Sequence, residues 1–135
     1  MIVVDTNVIA SLYLPGPHAD AAERALSKDP EWVAPLLWRS ELRNVLASLV
    51  RADRCPLARA LEVMDAAHTL LEGGEHEVAS ADVVRLAARS GCSAYDCEFV
   101  TLARDLDVRL VTLDRQILKS FPRLAVPLEK FASPH

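Results

Sequence analysis

Ile2-Val3-Val4-Asp5-Thr6-Asn7-Val8-Ile9-Ala10 opens with a run of apolar, mostly β-branched residues that does not alternate with polar ones, then turns abruptly to a carboxylate and two short polar side chains. An unalternating apolar run suits a strand covered on both faces, as in a parallel α/β sheet. Asp5-Thr6-Asn7 supplies helix-capping side chains, and Pro15-Gly16-Pro17 stops the apolar pattern that follows through Leu12. The stretch therefore predicts a buried strand at Ile2 to Val4, joined directly to a helix. It also places Asp5 at the carboxyl end of that strand, where open α/β sheets form their ligand crevices.

The same alternation continues outward. Ala19 to Leu26 reads as an Ala-rich helix and Trp32-Val33-Ala34 as a short strand. Pro35 suits the first turn of a long helix carrying Leu36, Leu37, Trp38, Leu42, Val45, Leu46, Leu49 and Val50. Arg51 to Cys55 connects it to a second amphipathic helix, Leu57 to Leu71, which Gly73-Gly74 ends, and the two are expected to form a hairpin. A small strand is expected near Glu77-Val78. Ser80 is read as the cap of a helix running through Arg89 to Gly91, and Ser93 as the cap of another from Ala94 to about Leu106. Val108 to Thr112 is the next strand, followed by a short helix at Arg115 to Lys119 and an edge strand at Leu124 to Val126. This order predicts a small α/β sandwich around a parallel sheet.

At 135 residues the chain is expected to be a single domain spanning residues 1–135. Hydrophobic residues at 51% and charged residues at 25% exclude a disordered or collagen-like chain. No apolar run approaches the ~20 residues of a membrane span, and Asp5 interrupts any signal-peptide core, so a cytoplasmic location without membrane contact is expected. Cys55, Cys92 and Cys97 lack C-x-x-C spacing and read as small core residues. With a formal charge of −4, nucleic-acid binding would need a local basic patch. Arg39, Arg43, Arg51, Arg54 and Arg59 outnumber Glu41 and Asp53 over residues 35–60, and Arg39 and Arg43 are the RNA-contact candidates. A solvated helix face is the plainer reading of the same residues.

Four acids stand out. Asp5 and Asp114 each follow an apolar strand, and each doubles as a helix cap. Asp96 closes the capping-box pattern Ser93-Ala94-Tyr95-Asp96. Glu41 has Leu37 and Val45 at i±4 and Trp38 at i−3, so it borders an apolar helix face where no cap explains it; a salt bridge to an arginine would. If the four converge, each pair ~6 Å apart repels by about 3 kcal/mol at an effective dielectric of ~20, and a cation must stand among them. All-oxygen ligation points to Mg²⁺ or Mn²⁺, ions suited to phosphodiester hydrolysis. Thr6, Asn7, Ser93 and Thr112 are candidates to hold the acids or a water by hydrogen bonds, when they are not ordinary caps and turns. The histidines are scattered, and no dinucleotide fingerprint, Walker A loop or nucleophile elbow is present.

In their order and spacing, Asp5-Thr6-Asn7 after an apolar strand, Glu41 on the long helix, Ser93-Ala94-Tyr95-Asp96 and Val111-Thr112-Leu113-Asp114 resemble the PIN-domain ribonucleases, in particular the VapC toxins of toxin–antitoxin pairs. The resemblance covers essentially the whole chain. It implies a three-layer α/β/α sandwich with a central, mostly parallel sheet and Mg²⁺- or Mn²⁺-dependent endonucleolytic cleavage of RNA. Asp5, Glu41, Asp96 and Asp114 would be the metal-site and catalytic acids, Asp114 acting through water, with Thr6, Asn7, Ser93 and Thr112 in support. The implied partners are RNA, a small DNA-binding antitoxin that lays an arginine into the acidic pocket, and a second copy in a homodimer. Cys97 stands where the family often has alanine, and a thiol so near the site is a spot for oxidation or adventitious soft-metal binding. The competing readings are a PIN-like domain that binds RNA or a partner without catalysis, and a receiver-like phospho-acceptor. The second expects adjacent acids after the first strand and a lysine after the last, whereas Asp5 is followed by Thr6 and Asn7, and Thr112-Leu113-Asp114 offers no lysine.

Overall fold

Strand β1 (Ile2–Val4) is buried along its whole length at the centre of a five-stranded sheet. The computed structural model describes residues 1–134, so His135 lies outside the described residues. On one side β1 pairs with β2 (Trp32–Pro35), Ile2 opposite Trp32, and β2 pairs with β3 (Glu75–His76), Ala34 opposite Glu75. On the other side β1 pairs with β4 (Leu110–Thr112), Val3 opposite Leu110, and β4 with β5 (Ala125–Pro127), Val111 opposite Val126. The order is β3-β2-β1-β4-β5 and every pairing is parallel. β1, β2 and β4 are buried throughout, which is why their sequences run apolar without alternation.

The described residues form eight helices around this sheet: α1 (Thr6–Tyr13), α2 (Ala19–Lys28), α3 (Leu37–Arg51), α4 (Leu57–Leu70), α5 (Ser80–Ser90), α6 (Ala94–Leu106), α7 (Arg115–Ser120) and α8 (Leu128–Ala132). Helix α6 lies along β1, β2 and β4, and α5 packs on α6. α1 packs against β4, α3 against β2, and α8 against β4 and β5, while α4 pairs with α3 as the expected hairpin. The result is an α/β sandwich whose core includes Val3, Val4, Trp38, Leu42, Phe99, Leu110 and Ile117. All three cysteines are free and buried.

Four local expectations are corrected. Strand β3 lies at Glu75–His76 rather than near Glu77-Val78, because the chain at Gly74 runs against β2: Ala34 N–H donates to Gly74 O at 2.9 Å, and a Cβ on Gly74 would lie 2.5 Å from Trp32 O. Pro35 ends β2 instead of opening α3. Ser80 is the first residue of α5 and caps nothing; Ala79 holds the cap position without a side-chain bond. Helix α8 was not expected, and it forms where Pro127 starts a turn that buries Leu128 and Ala132.

Candidate active site

Strands β1 to β3 are laid down in one direction across the sheet and β4 and β5 in the other, so the topological switch point falls between β1 and β4. That is where a doubly wound sheet opens a crevice at its carboxyl edge. Asp5 leaves β1 there, its N–H donating to Val111 O at 3.0 Å, and Thr112-Leu113-Asp114 leaves β4 beside it.

Asp5 is 7% exposed. Its Oδ1 accepts from Thr6 N–H at 2.8 Å, which makes it the cap of α1, and its Oδ2 accepts from the Thr112 hydroxyl at 2.7 Å. Asn7 lies farther off, its Nδ2 at 3.5 Å from Oδ2, while its Oδ1 accepts from Leu113 N–H at 3.2 Å and ties α1 to the end of β4. Thr112 is fully buried and bonds twice, because its Oγ1 also accepts from Asp114 N–H at 3.0 Å. One hydroxyl thus sets both strand-end acids. Asp114 caps α7 through Oδ1, which accepts from Ile117 N–H at 3.0 Å.

Glu41 reaches this edge from α3, where the Thr6 hydroxyl donates to its Oε1 at 2.7 Å. The arginine partner that would have explained Glu41 as structural is not there: among the described residues none of the four acids enters an ion pair. Asp96 arrives at the start of α6, where the Ser93 side chain accepts from its N–H at 3.0 Å. This is half of a capping box. The reciprocal bond from the Asp96 carboxylate to Ser93 N–H is absent among the described residues, so capping leaves that carboxylate unused.

Burial and mutual repulsion show in the acidities. Burial pushes Asp5 up to about 6, against the opposing hydrogen bonds from Thr112 and Thr6, and the charges of Glu41 and Asp96 add to the rise. Glu41 is raised by burial and then by Asp96, and Asp96 by burial and then by Asp114. The four acids named from sequence therefore share one electrostatic neighbourhood. A fifth, Glu98 on α6, was missed: burial raises it and the Glu41 charge adds. Its only sequence signal was an acid immediately before Phe99 and Val100, both of which are buried.

Among the described residues, no three His, Cys, Asp or Glu side chains stand close enough to hold a metal ion as placed. The donor chemistry nevertheless fits a hard divalent cation: carboxylate oxygens from four elements, mutually repelling, with no side-chain cation paired to them among the described residues.

The basic candidates divide. Arg39 is committed to Glu75, with Nε at 2.6 Å and Nη2 at 2.5 Å from its two carboxylate oxygens, and Trp38 Nε1–H donates to the same carboxylate at 2.8 Å. Arg39 is thus a strut from α3 to β3 rather than an open phosphate contact. Arg43 makes no such bond among the described residues and stands at the rim of an apolar groove lined by Leu46, Val50, Leu57, Leu61 and Met64. Cys97 is fully buried and its thiol is pushed up by burial, which removes the oxidation-prone reading.

Comparison with known proteins agrees with this geometry. The family model described as PIN domain matches residues 2–125. Ribonuclease VapC3 of Pyrobaculum aerophilum is 33% identical over 139 aligned residues, covering 93% of this chain and 98% of the relative. Among solved structures, PAE2754 from Pyrobaculum aerophilum superposes with a TM-score of 0.79 at 20% identity, covering 97% of this chain and 85% of that one. FitAcB from Neisseria gonorrhoeae gives 0.71 at 18% identity, and a toxin–antitoxin complex from Klebsiella pneumoniae 0.70 at 15%; each match covers 95% of this chain and 98% of the other. These three likenesses are of fold, whereas the family match and the full-length relative reach the sequence itself, and on them the chain belongs to the PIN-domain family.

Proposed function

We propose that the chain is a divalent-metal-dependent endoribonuclease and the toxin of a toxin–antitoxin pair. The observation that carries the reading is the set of carboxylates at the switch point, Asp5 buried and the others partly so, mutually repelling and without ion-pair partners among the described residues, in a chain 33% identical to a ribonuclease. A fold has no structural reason to gather such charges, since buried carboxylates are destabilising without a cation.

Asp5, Glu41 and Asp96 would hold Mg²⁺ or Mn²⁺, with Asp114 acting through water. When bound, the ion supplies positive charge against the charge that builds on a phosphodiester under attack by water. The chain's own part is orientation. Thr112 donates to Asp5 and accepts from Asp114 N–H, and Thr6 donates to Glu41, so each hydroxyl fixes a carboxylate in one rotamer. Asn7 holds the start of α1 to the end of β4. Ser93 satisfies the Asp96 N–H and leaves the carboxylate free. Arg43 is the remaining candidate for RNA phosphate. The partners we infer are RNA, a small DNA-binding antitoxin and a second copy of the chain; one of the matched folds comes from a toxin–antitoxin complex.

The test is incubation of the purified chain, freed of any co-purifying protein, with total RNA in Mg²⁺ or Mn²⁺. Discrete products are expected, and both chelator and Asp96→Asn should abolish them. Cleavage that survives either control refutes the assignment.

A further inference from the structure

Helices α5 and α6 pack on one another, and residues from both line a cleft of about 200 Å³ that none of the acids discussed above lines. Its walls carry Arg85 and Arg89 from α5 and Arg104 from α6, together with Asp82 and Asp105. In a chain with a formal charge of −4, three guanidinium groups about one small cleft are a local reversal of sign. Arg85 has one ionic contact, to Asp82 at 3.6 Å, while Arg89 and Arg104 enter no ion pair or side-chain hydrogen bond among the described residues.

An independent observation comes from Thr101, which also lines the cleft. It is 3% exposed, and its hydroxyl is buried without any hydrogen-bond partner among the described residues. A helical threonine ordinarily returns its hydroxyl to a carbonyl one turn back, and a buried hydroxyl left without a partner is destabilising. The hydroxyl is covered as it stands, so a ligand oxygen that parts the side chains at the floor of the cleft would be the partner it lacks. Guanidinium forks from two helices suit a tetrahedral oxyanion, which accepts paired N–H bonds. Asp82 and Asp105 reduce the local charge to a net single positive one, which favours a single phosphate group over a polyphosphate.

We propose that the cleft between α5 and α6 is a phosphate-binding site, in which Arg89 and Arg104 clamp one phosphate group over the Thr101 hydroxyl. The group is either free inorganic phosphate or the terminal phosphate of a nucleic-acid strand. The site is separate from the acidic crevice, so the proposal stands without the nuclease reading.

The test uses the full chain in chelator, which keeps phosphate from being drawn to the acids through a metal. Amide spectra are followed during titration with sodium phosphate, with sodium chloride at matched ionic strength as the comparison. Saturable shifts centred on Arg89, Thr101 and Arg104, seen with phosphate alone, are expected. The double substitution Arg89→Gln with Arg104→Gln, at two exposed positions, should weaken the response by about tenfold or more, as loss of charge-assisted bonds requires, with melting in chloride unchanged. Thr101→Val should raise the melting temperature of the phosphate-free protein and diminish the further rise that phosphate produces. A short RNA with a 5′-phosphate, compared with the same RNA bearing a 5′-hydroxyl, separates the sources: the same shifts from the phosphorylated strand alone assign the site to nucleic-acid ends, and their absence beside a response to inorganic phosphate assigns it to the free ion. No shifts, equal shifts in chloride, or a double variant that titrates like the parent overturns the proposal.

Discussion

Replacing Asp5 by asparagine removes a charge that the fold holds against its own stability. Burial raises the Asp5 pKa from 3.8 to about 6, so between those values the folded chain keeps a proton that the unfolded chain has released. Stability therefore falls as pH rises through that window and levels off above it. The gap of about two units corresponds, at ~1.4 kcal/mol per unit, to about 3 kcal/mol of destabilisation at pH ~8. The Asp5→Asn substitution recovers that amount less a hydrogen-bond penalty. The carboxylate accepts from both Thr6 N–H and the Thr112 hydroxyl, whereas an amide has one accepting oxygen, and the mismatch costs about 1 kcal/mol. The expected net is a gain of about 2 kcal/mol at pH ~8 that turns into a loss of about 1 kcal/mol at pH ~3, where the charge term is gone and the hydrogen-bond penalty remains, together with loss of ribonuclease activity. Urea unfolding of both proteins at the two pH values, in chelator, measures it. A variant that is no more stable than the parent at the higher pH, or an offset that does not change with pH, would refute the claim that Asp5 is an uncompensated buried charge.

Thr112→Val keeps the shape of the side chain but removes the donor to Asp5 and the acceptor for Asp114 N–H; nuclease activity in Mn²⁺ should fall by about 10–100-fold, as when a ligand-orienting bond is lost. Glu75→Ala orphans the buried Trp38 indole N–H and should destabilise the fold by about 1–3 kcal/mol, read by thermal or urea unfolding. Because Arg39 holds the Glu75 pKa below its ordinary value, the wild-type contribution is present above the unfolded pKa and is lost as pH falls through the folded one, so the difference between Glu75→Ala and the parent should narrow in acid. Gly74→Ala drives a Cβ to 2.5 Å from Trp32 O, a backbone atom that cannot swing aside, and should cost about 1–3 kcal/mol in the same measurement.

The parallel sheet was readable because its strands are buried on both faces, which leaves unbroken apolar runs at Ile2–Val4 and Leu110–Val111. The four acids were readable because each stands at an element end or beside an apolar helix face, where local pattern marks a carboxylate as out of place. Short elements were less legible. Strand β3 is set by the approach of the Gly74 backbone to β2, and α8 by burial of Leu128, and neither leaves a periodic signal in so few residues.

Sequence alone determined the alternation of strands and helices, the placing of Asp5 and Asp114 at strand ends, and the need for a cation should the acids meet. Those properties are local, set by side-chain period and capping over a few residues. Tertiary structure decided which groups share a neighbourhood: that Thr112 bonds Asp5 across 107 residues, that Thr6 rather than an arginine meets Glu41, that Arg39 is taken by Glu75, and that Glu98 joins the acidic group. These contacts depend on strand order. β1 and β4 are far apart in the chain and become neighbours only when the sheet is wound outward in both directions from β1, which opens the crevice where the acids stand.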